Sequence, residues 1–131
     1  MLKTILSISG KQGLYKLVSK GKNMLIVETL SAEKKRFPIH SSEKVISLGD
    51  IALYTDEEEA PLRDVLTSIK EKEKSAVLSI DVKKASPDEL RDYLSGILPN
   101  YDREKVHAND IRKLISWYNI LITNGITDFR E

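Results

Sequence analysis

The spacing of apolar positions changes near residue 55. Before it, apolar residues come in short alternating runs separated by glycine, asparagine and serine; beyond it they recur every three or four positions. Ile5, Leu6 and Ile8 form a first run, closed by Ser9-Gly10-Lys11-Gln12-Gly13. Residues 14–19 make a second run, and Lys20-Gly21-Lys22-Asn23 a turn in which Gly and Asn tolerate positive φ. Residues 24–30 are the strongest strand signal, and the unbroken apolar stretch 24–27 predicts a central strand covered on both faces. Residues 31–35 turn the chain again. Phe37 and Ile39 alternate around Pro38, which suits an edge strand because proline has no N–H to donate. Residues 45–48 and 51–54, divided by Gly49-Asp50, complete the set. Several short strands at close spacing predict a small SH3-like β-barrel over residues 1–55.

The second half reads as helices. Leu62, Val65, Leu66 and Ile69 follow the i, i+3, i+4, i+7 stripe of an amphipathic helix, assigned to a connecting segment 56–75. Thr55-Asp-Glu-Glu58 fits a capping box with Pro61 in the first turn, so the acidic run 56–59 is expected to answer the helix dipole rather than a metal ion. Lys70–Lys74 alternates sign as a solvated helix end. Residues 76–82 alternate around Leu78, Ile80 and Val82, as a strand or an extended strap. Ser86-Pro-Asp-Glu89 starts a further helix, with Leu90, Tyr93, Leu94 and Ile97 as its stripe. A last helix runs from about residue 109 to 124 with Gly125 as its C-terminal cap. It carries Ile111, Leu114, Ile115, Tyr118, Leu121 and Ile122 on one broad face, Trp117 on the flank and Ile120 opposite. That apolar surface is either buried against the other elements or offered to a protein partner, including a second copy. The expected class is therefore α+β: a barrel at 1–55, a connecting helix at 56–75 and a helical segment at 76–131.

Charge follows the same boundary. Residues 1–55 hold nine Lys/Arg against four Asp/Glu, and residues 56–131 twelve against sixteen, so a net charge of +1 conceals a basic half and an acidic half. Alternate loops of a meander share one end. The 9–13 loop and the 31–35 turn are thus expected to gather Lys11, Lys34, Lys35 and Arg36, while Lys20, Lys22, His40 and Lys44 collect at the other end. Lysine and arginine in such clusters bind phosphates, and the aromatic residues of this half, Tyr15, Phe37 and Tyr54, are placed mainly for core packing. The 40% apolar and 31% charged residues are globular values. The absence of cysteine excludes disulfides, thiolate metal sites and cysteine nucleophiles. No secretory signal or membrane span is legible, and a cytoplasmic protein with no membrane association is expected.

Catalytic and cofactor motifs are absent: no Walker loop, dinucleotide-binding glycine pattern, nucleophile elbow or HExxH is present. The two S-x-x-K matches, Ser31/Lys34 and Ser41/Lys44, lack the elements that accompany a catalytic pair. His107 with Asp110 reads as a helix start, and no third ligand joins either histidine to make a metal site.

The chain resembles an uncharacterised family of short proteins from Bacteroidetes-type bacteria. The resemblance is carried by residues 2–10 (LKTILSISG), 13–18 (GLYKLV), 24–28 (MLIVE), 35–38 (KRFP), 43–59 (EKVISLGDIALYTDEEE), 110–121 (DIRKLISWYNIL) and 125–129 (GITDF). It implies two adjoining domains of unknown function and brings no catalytic or binding residues with it. The expectation is a non-enzymatic binding module without a cofactor or metal. Its first candidate ligand is a nucleic-acid backbone, held by Lys11, Lys34, Lys35 and Arg36 with Lys20 and Lys22 as a second patch. Its second is a protein partner or a second copy, meeting Trp117 and Ile120 of the last helix, or a basic partner meeting the acidic first helix.

Overall fold

A computed structural model of the chain describes residues 2–40 and 42–129. A 3-10 turn at Leu2–Thr4 leads into β1 (Ile5–Ile8), β2 (Tyr15–Gly21), β3 (Met24–Thr29), β4 (Arg36–His40) and β5 (Val45–Ser47). These strands form one antiparallel sheet in the order β4-β3-β2-β1-β5. A second 3-10 turn, Leu48–Asp50, takes the chain off the sheet. A two-stranded ribbon follows, β6 (Ala52–Leu53) with β7 (Ala60–Pro61), and then the helices α1 (Leu62–Glu73), α2 (Pro87–Ile97) and α3 (Ala108–Thr123).

The class is α+β as expected, but the sheet is not closed into a barrel: its outer strands β4 and β5 share no ladder. Leu48 is the reason. Fully buried against the helical half, it ends β5 after three residues, and the run 51–54 pairs with β7 instead of sealing the sheet.

The open sheet is nevertheless strongly curled. His40 pairs with Met24 at one end, and Val45 pairs with Ile8 near the other, yet five residue steps join them. Those steps reach at most about 18 Å, whereas the outer strands of a flat five-stranded sheet would already lie ~19 Å apart laterally. A register shift between Leu17 and Ser19 leaves Val18 as an extra residue in β2, a bulge that bends the strand. Curling brings all five strands around one small core, with Leu6, Ile8, Tyr15, Val27 and Ile39 inside and Phe37 and Val45 at its border. The opposite face of β3 stays open: Met24 and Ile26 are half-exposed and only Val27 is fully buried, so the expectation of a strand covered on both faces is corrected.

The larger core lies between the start of the sheet and the helices. Leu2, Ile5, Leu14 and Leu48 enter it from the N-terminal half, and Leu62, Leu66, Ile69, Leu90, Leu94 and the stripe of α3 from the other. The two 3-10 turns touch closely at this joint. The Ser47 hydroxyl donates to the Lys3 carbonyl at 2.8 Å and accepts from Gly49 N at 3.2 Å. A Cβ on Gly49 would stand 2.6 Å from Lys3 Cγ and 3.0 Å from Lys3 Cα, so only glycine fits without a backbone shift.

Helix boundaries follow local chemistry with one exception. Ser86 Oγ accepts from Glu89 N at 3.2 Å with Pro87 in the first turn of α2, as the sequence indicates. His107 N donates to Asp110 Oδ2 at 3.0 Å at the start of α3, which confirms the helix-start reading of that pair. Gly125, at φ 77°, ends α3, with Ile126 N donating to the Leu121 carbonyl at 2.8 Å. The exception is α1. Its N-cap is Pro61, and Thr55 is not a helix cap: its hydroxyl accepts from Glu57 N at 3.0 Å and donates to the Glu58 carbonyl, closing a turn that ends before the helix begins at Leu62. The acidic residues 56–59 therefore occupy the β6–β7 loop, away from the helix start where the capping-box reading put them.

Residues 76–82 form an extended strap with no strand pairing. α3 holds it through three contacts: Leu78 N to Asn119 Oδ1 at 2.9 Å, Tyr118 Oη to the Ala76 carbonyl at 2.8 Å, and Arg112 Nη1 to the Val82 carbonyl. Nor is the end of α1 simply solvated. Tyr93 Oη donates to Glu73 Oε2 at 2.9 Å, and Lys72 Nζ lies 4.4 Å from the centre of the same ring. Burial and the nearby Glu73 carboxylate hold the Tyr93 hydroxyl well above the usual tyrosine range, and burial with the same carboxylate raises Tyr118.

Two outcomes follow from this packing. Gly49→Ala should destabilise the protein by about 1–3 kcal/mol through overpacking, read as a lower urea midpoint at unchanged slope; an unchanged midpoint would contradict the close approach of the two turns. Because the folded state keeps Tyr93 and Tyr118 protonated while an unfolded chain ionises them near pH ~10, their contribution is complete below that pH and is lost as pH rises above it. Stability should therefore fall in this alkaline window, with at least two tyrosines ionising only as the protein unfolds, as followed by absorbance near 295 nm.

Candidate functional site

The basic cluster expected at one end of the sheet assembles only in part. Lys11 reaches β4, with Nζ 5.3 Å from the centre of the Phe37 ring, which places the 9–13 loop beside the start of that strand. Lys35 and Arg36 lie at the same end, but Lys35 Nζ is 3.2 Å from Glu33 Oε2 and Arg36 Nε 3.0 Å from Glu28 Oε1. Lys34 is exposed, at φ 48°, and has no ion pair among the described residues. Lys20 and Lys22 are exposed at the other end, around the turn where Gly21 pairs with Met24. Lys44 was expected with them and is not there: its carbonyl accepts from Ser9 N at 2.9 Å, beside the 9–13 loop. Alternation along a meander misplaced it because β5 pairs with β1 rather than continuing from β4. Tyr15 is buried and donates to the Gln12 carbonyl at 2.9 Å, and Phe37 packs edge-on against it at 5.5 Å. Neither ring stands free beside the lysines. Ser31 Oγ shares a 3.0 Å hydrogen bond with Thr29 Oγ1, and Ser41 lies outside the described residues.

A different feature forms between β6 and α3, a solvent-open cleft of about 260 Å³. Its floor is the buried trio Leu62, Val106 and Leu114, and its walls are Ile51, Ala52, Leu53 and Trp117. Tyr54, 47% exposed, stands at the mouth with Lys105, Lys113 and Asp110. The backbone sets this arrangement. Asp102 N donates to the Tyr54 carbonyl at 2.9 Å and Asp56 N to the Asn100 carbonyl at 3.0 Å, which pairs Thr55 with Tyr101 as an isolated antiparallel bridge. Together these bonds sew the end of β6 to residues 100–102. The Asp102 carboxylate accepts from Glu104 N at 2.9 Å and Lys105 N at 3.2 Å, a turn that presents Lys105 toward Tyr54. Lys105 Nζ consequently lies 5.1 Å from the centre of the Tyr54 ring, a cation–π pair at the mouth. Asp110 Oδ2 is engaged by the His107 N–H, whereas Lys105 and Lys113 have no ion pair among the described residues.

Trp117 and Ile120, expected to share one interface, line different hollows. Trp117 walls the β6 cleft, and Ile120 borders a shallower groove formed by Leu30, Ser31 and Ala32 against Asn119, Thr123 and Asn124. Both residues are half-buried and packed on the main core, so most of the apolar surface of α3 is spent internally. Of the cleft residues, the sequence offered Trp117 for an interface, whereas Tyr54, expected in the core, is half-exposed instead; Lys105 and Lys113 were missed because only the fold brings Lys105 to the Tyr54 ring and both lysines to one cleft. Among the described residues no group of three or more His, Asp or Glu side chains could hold a metal ion, and no helix is long and apolar enough to cross a membrane. The tyrosines with raised pKa values, Tyr93 and Tyr118, do not line the cleft.

Two family models match the chain in succession. A domain of unknown function (DUF5606) matches residues 2–48, and a domain of unknown function (DUF6852) matches residues 51–121. The matches meet at the second 3-10 turn, where the chain leaves the sheet. No curated protein matches. A solution NMR structure of a Bacteroides vulgatus protein, a structural-genomics target, is 67% identical and superposes with a TM-score of 0.83, over 98% of this chain and 91% of that one. With more than half of its length matched by the second of these models, the chain belongs to the DUF6852 family, its sheet matching DUF5606.

Proposed function

We propose that this protein is a non-enzymatic protein-interaction module whose docking site is the β6–α3 cleft. The observation that carries the reading is an unfilled apolar hollow between a half-exposed tyrosine and the only tryptophan of the chain. Tryptophan and tyrosine, with arginine, are enriched among the residues that carry binding energy at protein interfaces. At about 260 Å³ the hollow is smaller than the roughly 300–1,000 Å³ of small-molecule sites, and it matches one large side chain better than a cofactor.

Nucleic-acid binding through the basic end of the sheet is the weaker reading. Lys35 and Arg36 are paired with glutamates, Lys11 rests on Phe37, and Tyr15 is buried, which leaves few free cations and no fully exposed ring for a base.

The two readings separate in one pair of experiments. A photo-crosslinking amino acid at Tyr54 should give discrete protein adducts in cells, whereas the same group at Glu71, on the exposed side of α1, should not. Titration of the pure protein with DNA and RNA at 50 and 200 mM salt should show no strong binding. Absence of protein adducts at Tyr54, together with binding that falls steeply with salt and is lost on replacing Lys11, Lys34, Lys35 and Arg36 by glutamate, would reverse the order.

A further inference from the structure

The charges around the β6–α3 cleft are unequally engaged, and that inequality points to the chemistry of what enters it. The cleft is lined by three charged side chains: Lys105, Lys113 and Asp110. The carboxylate of Asp110 already accepts the His107 N–H at 3.0 Å, a bond that opens α3. The two lysines have no ion pair among the described residues, and Lys105 is held over the Tyr54 ring rather than left to swing in solvent. A ligand entering the cleft therefore meets two ammonium groups against one carboxylate, and neither lysine is in an ion pair among the described residues.

The interior is otherwise dry in character. Leu62, Val106 and Leu114 form its floor, and no Asn, Gln, Ser or Thr side chain lines it. A nucleobase pushed to the aliphatic floor would leave polar edge groups unpaired there, because the hydroxyl of Tyr54 and the charged groups stand at the mouth. An aromatic or branched aliphatic side chain carries no such penalty. Resting on the protein-interaction reading above, we propose that the cleft receives a single bulky apolar side chain from a partner protein whose flanking residues are acidic. The side chain fills the hollow beside Trp117, and the flanking carboxylates meet Lys105 and Lys113. The acidic run 56–59, which starts two residues after Tyr54 with Asp56 tied to Asn100, opposes carboxylates on its own side of the mouth. The partner's acidic residues accordingly lie toward α3.

Trp117 is the only tryptophan, so its fluorescence reports directly on the cleft. The probes are three acetylated, amidated pentapeptides: phenylalanine flanked by two aspartates on each side, phenylalanine flanked by lysines, and alanine flanked by aspartates. An RNA hexamer serves as the fourth. The acidic phenylalanine peptide should shift Trp117 emission saturably and move the amide resonances of Leu53, Tyr54, Lys105 and Lys113. Affinity should drop at least tenfold with either the alanine or the lysine peptide. Lys105→Glu with Lys113→Glu should invert the preference between the acidic and basic phenylalanine peptides. Glu57→Lys with Glu58→Lys should tighten the acidic peptide a few-fold.

Equal binding of both phenylalanine peptides would overturn the acidic preference while leaving the cleft as a docking site. Failure of all three peptides to perturb these resonances would overturn the inserted side chain; protein adducts at Tyr54 would then show whether the wider interaction reading survives. A response to the RNA hexamer alone would replace the protein partner with a nucleic acid.

Discussion

The structure depends on one strand serving two cores. Alternation along β1 sends Leu6 and Ile8 into the curl of the sheet, and Ile5, between Thr4 and Leu6, to the helical side. Neither core has another element so deeply committed to both. The 3-10 turns that precede β1 and follow β5 reinforce the joint by inserting Leu2 and Leu48 among the helices, and their contact is close enough to require glycine at position 49. The curled sheet encloses a core of only five buried apolar residues among those described, too small to be expected to hold a domain of this length by itself. Leu2, Ile5, Leu14 and Leu48, clustered with the helix side chains, supply the remainder.

Much of this was legible locally. The five sheet strands stand where the alternating runs placed them, Pro38 lies on an edge strand, and Ser86-Pro87 and Gly125 punctuate helices as their chemistry demands. What escaped depended on where residues distant in sequence come together. The run 51–54 alternates like any strand, and nothing in it reveals that Leu48 has already carried the chain into the other core. Thr55 and the glutamates after it match a capping box in spacing, yet the same hydroxyl closes a local turn, because Pro61 and not Thr55 adjoins the helix. Lys44 was misplaced for a topological reason, since β5 returns to pair with β1.

The cleft shows the same limit. Trp117 could be singled out as a residue with surplus apolar surface and Tyr54 only as an aromatic expected in the core, but their distance from each other and from Lys105 is decided by two backbone hydrogen bonds between residues 54–56 and 100–102. Charge asymmetry along the sequence pointed to the basic end of the sheet. The fold redistributes that charge: glutamates 28 and 33 answer two of its cations, while two lysines of the nominally acidic half are left facing an apolar hollow. Net charge per segment is thus a poor guide to where unneutralised charge lies, because pairing occurs across strands and is invisible in a linear count.

If β1 truly couples the two cores, they should unfold together. Urea titration followed by Trp117 fluorescence reports the helical half, and the amide resonance of Val27 reports the interior of the sheet. Coincident midpoints are the expected result. Loss of the Val27 signal at a lower urea concentration, with Trp117 emission unchanged, would show the sheet to be a separate folding unit and would contradict the shared core on which this account rests.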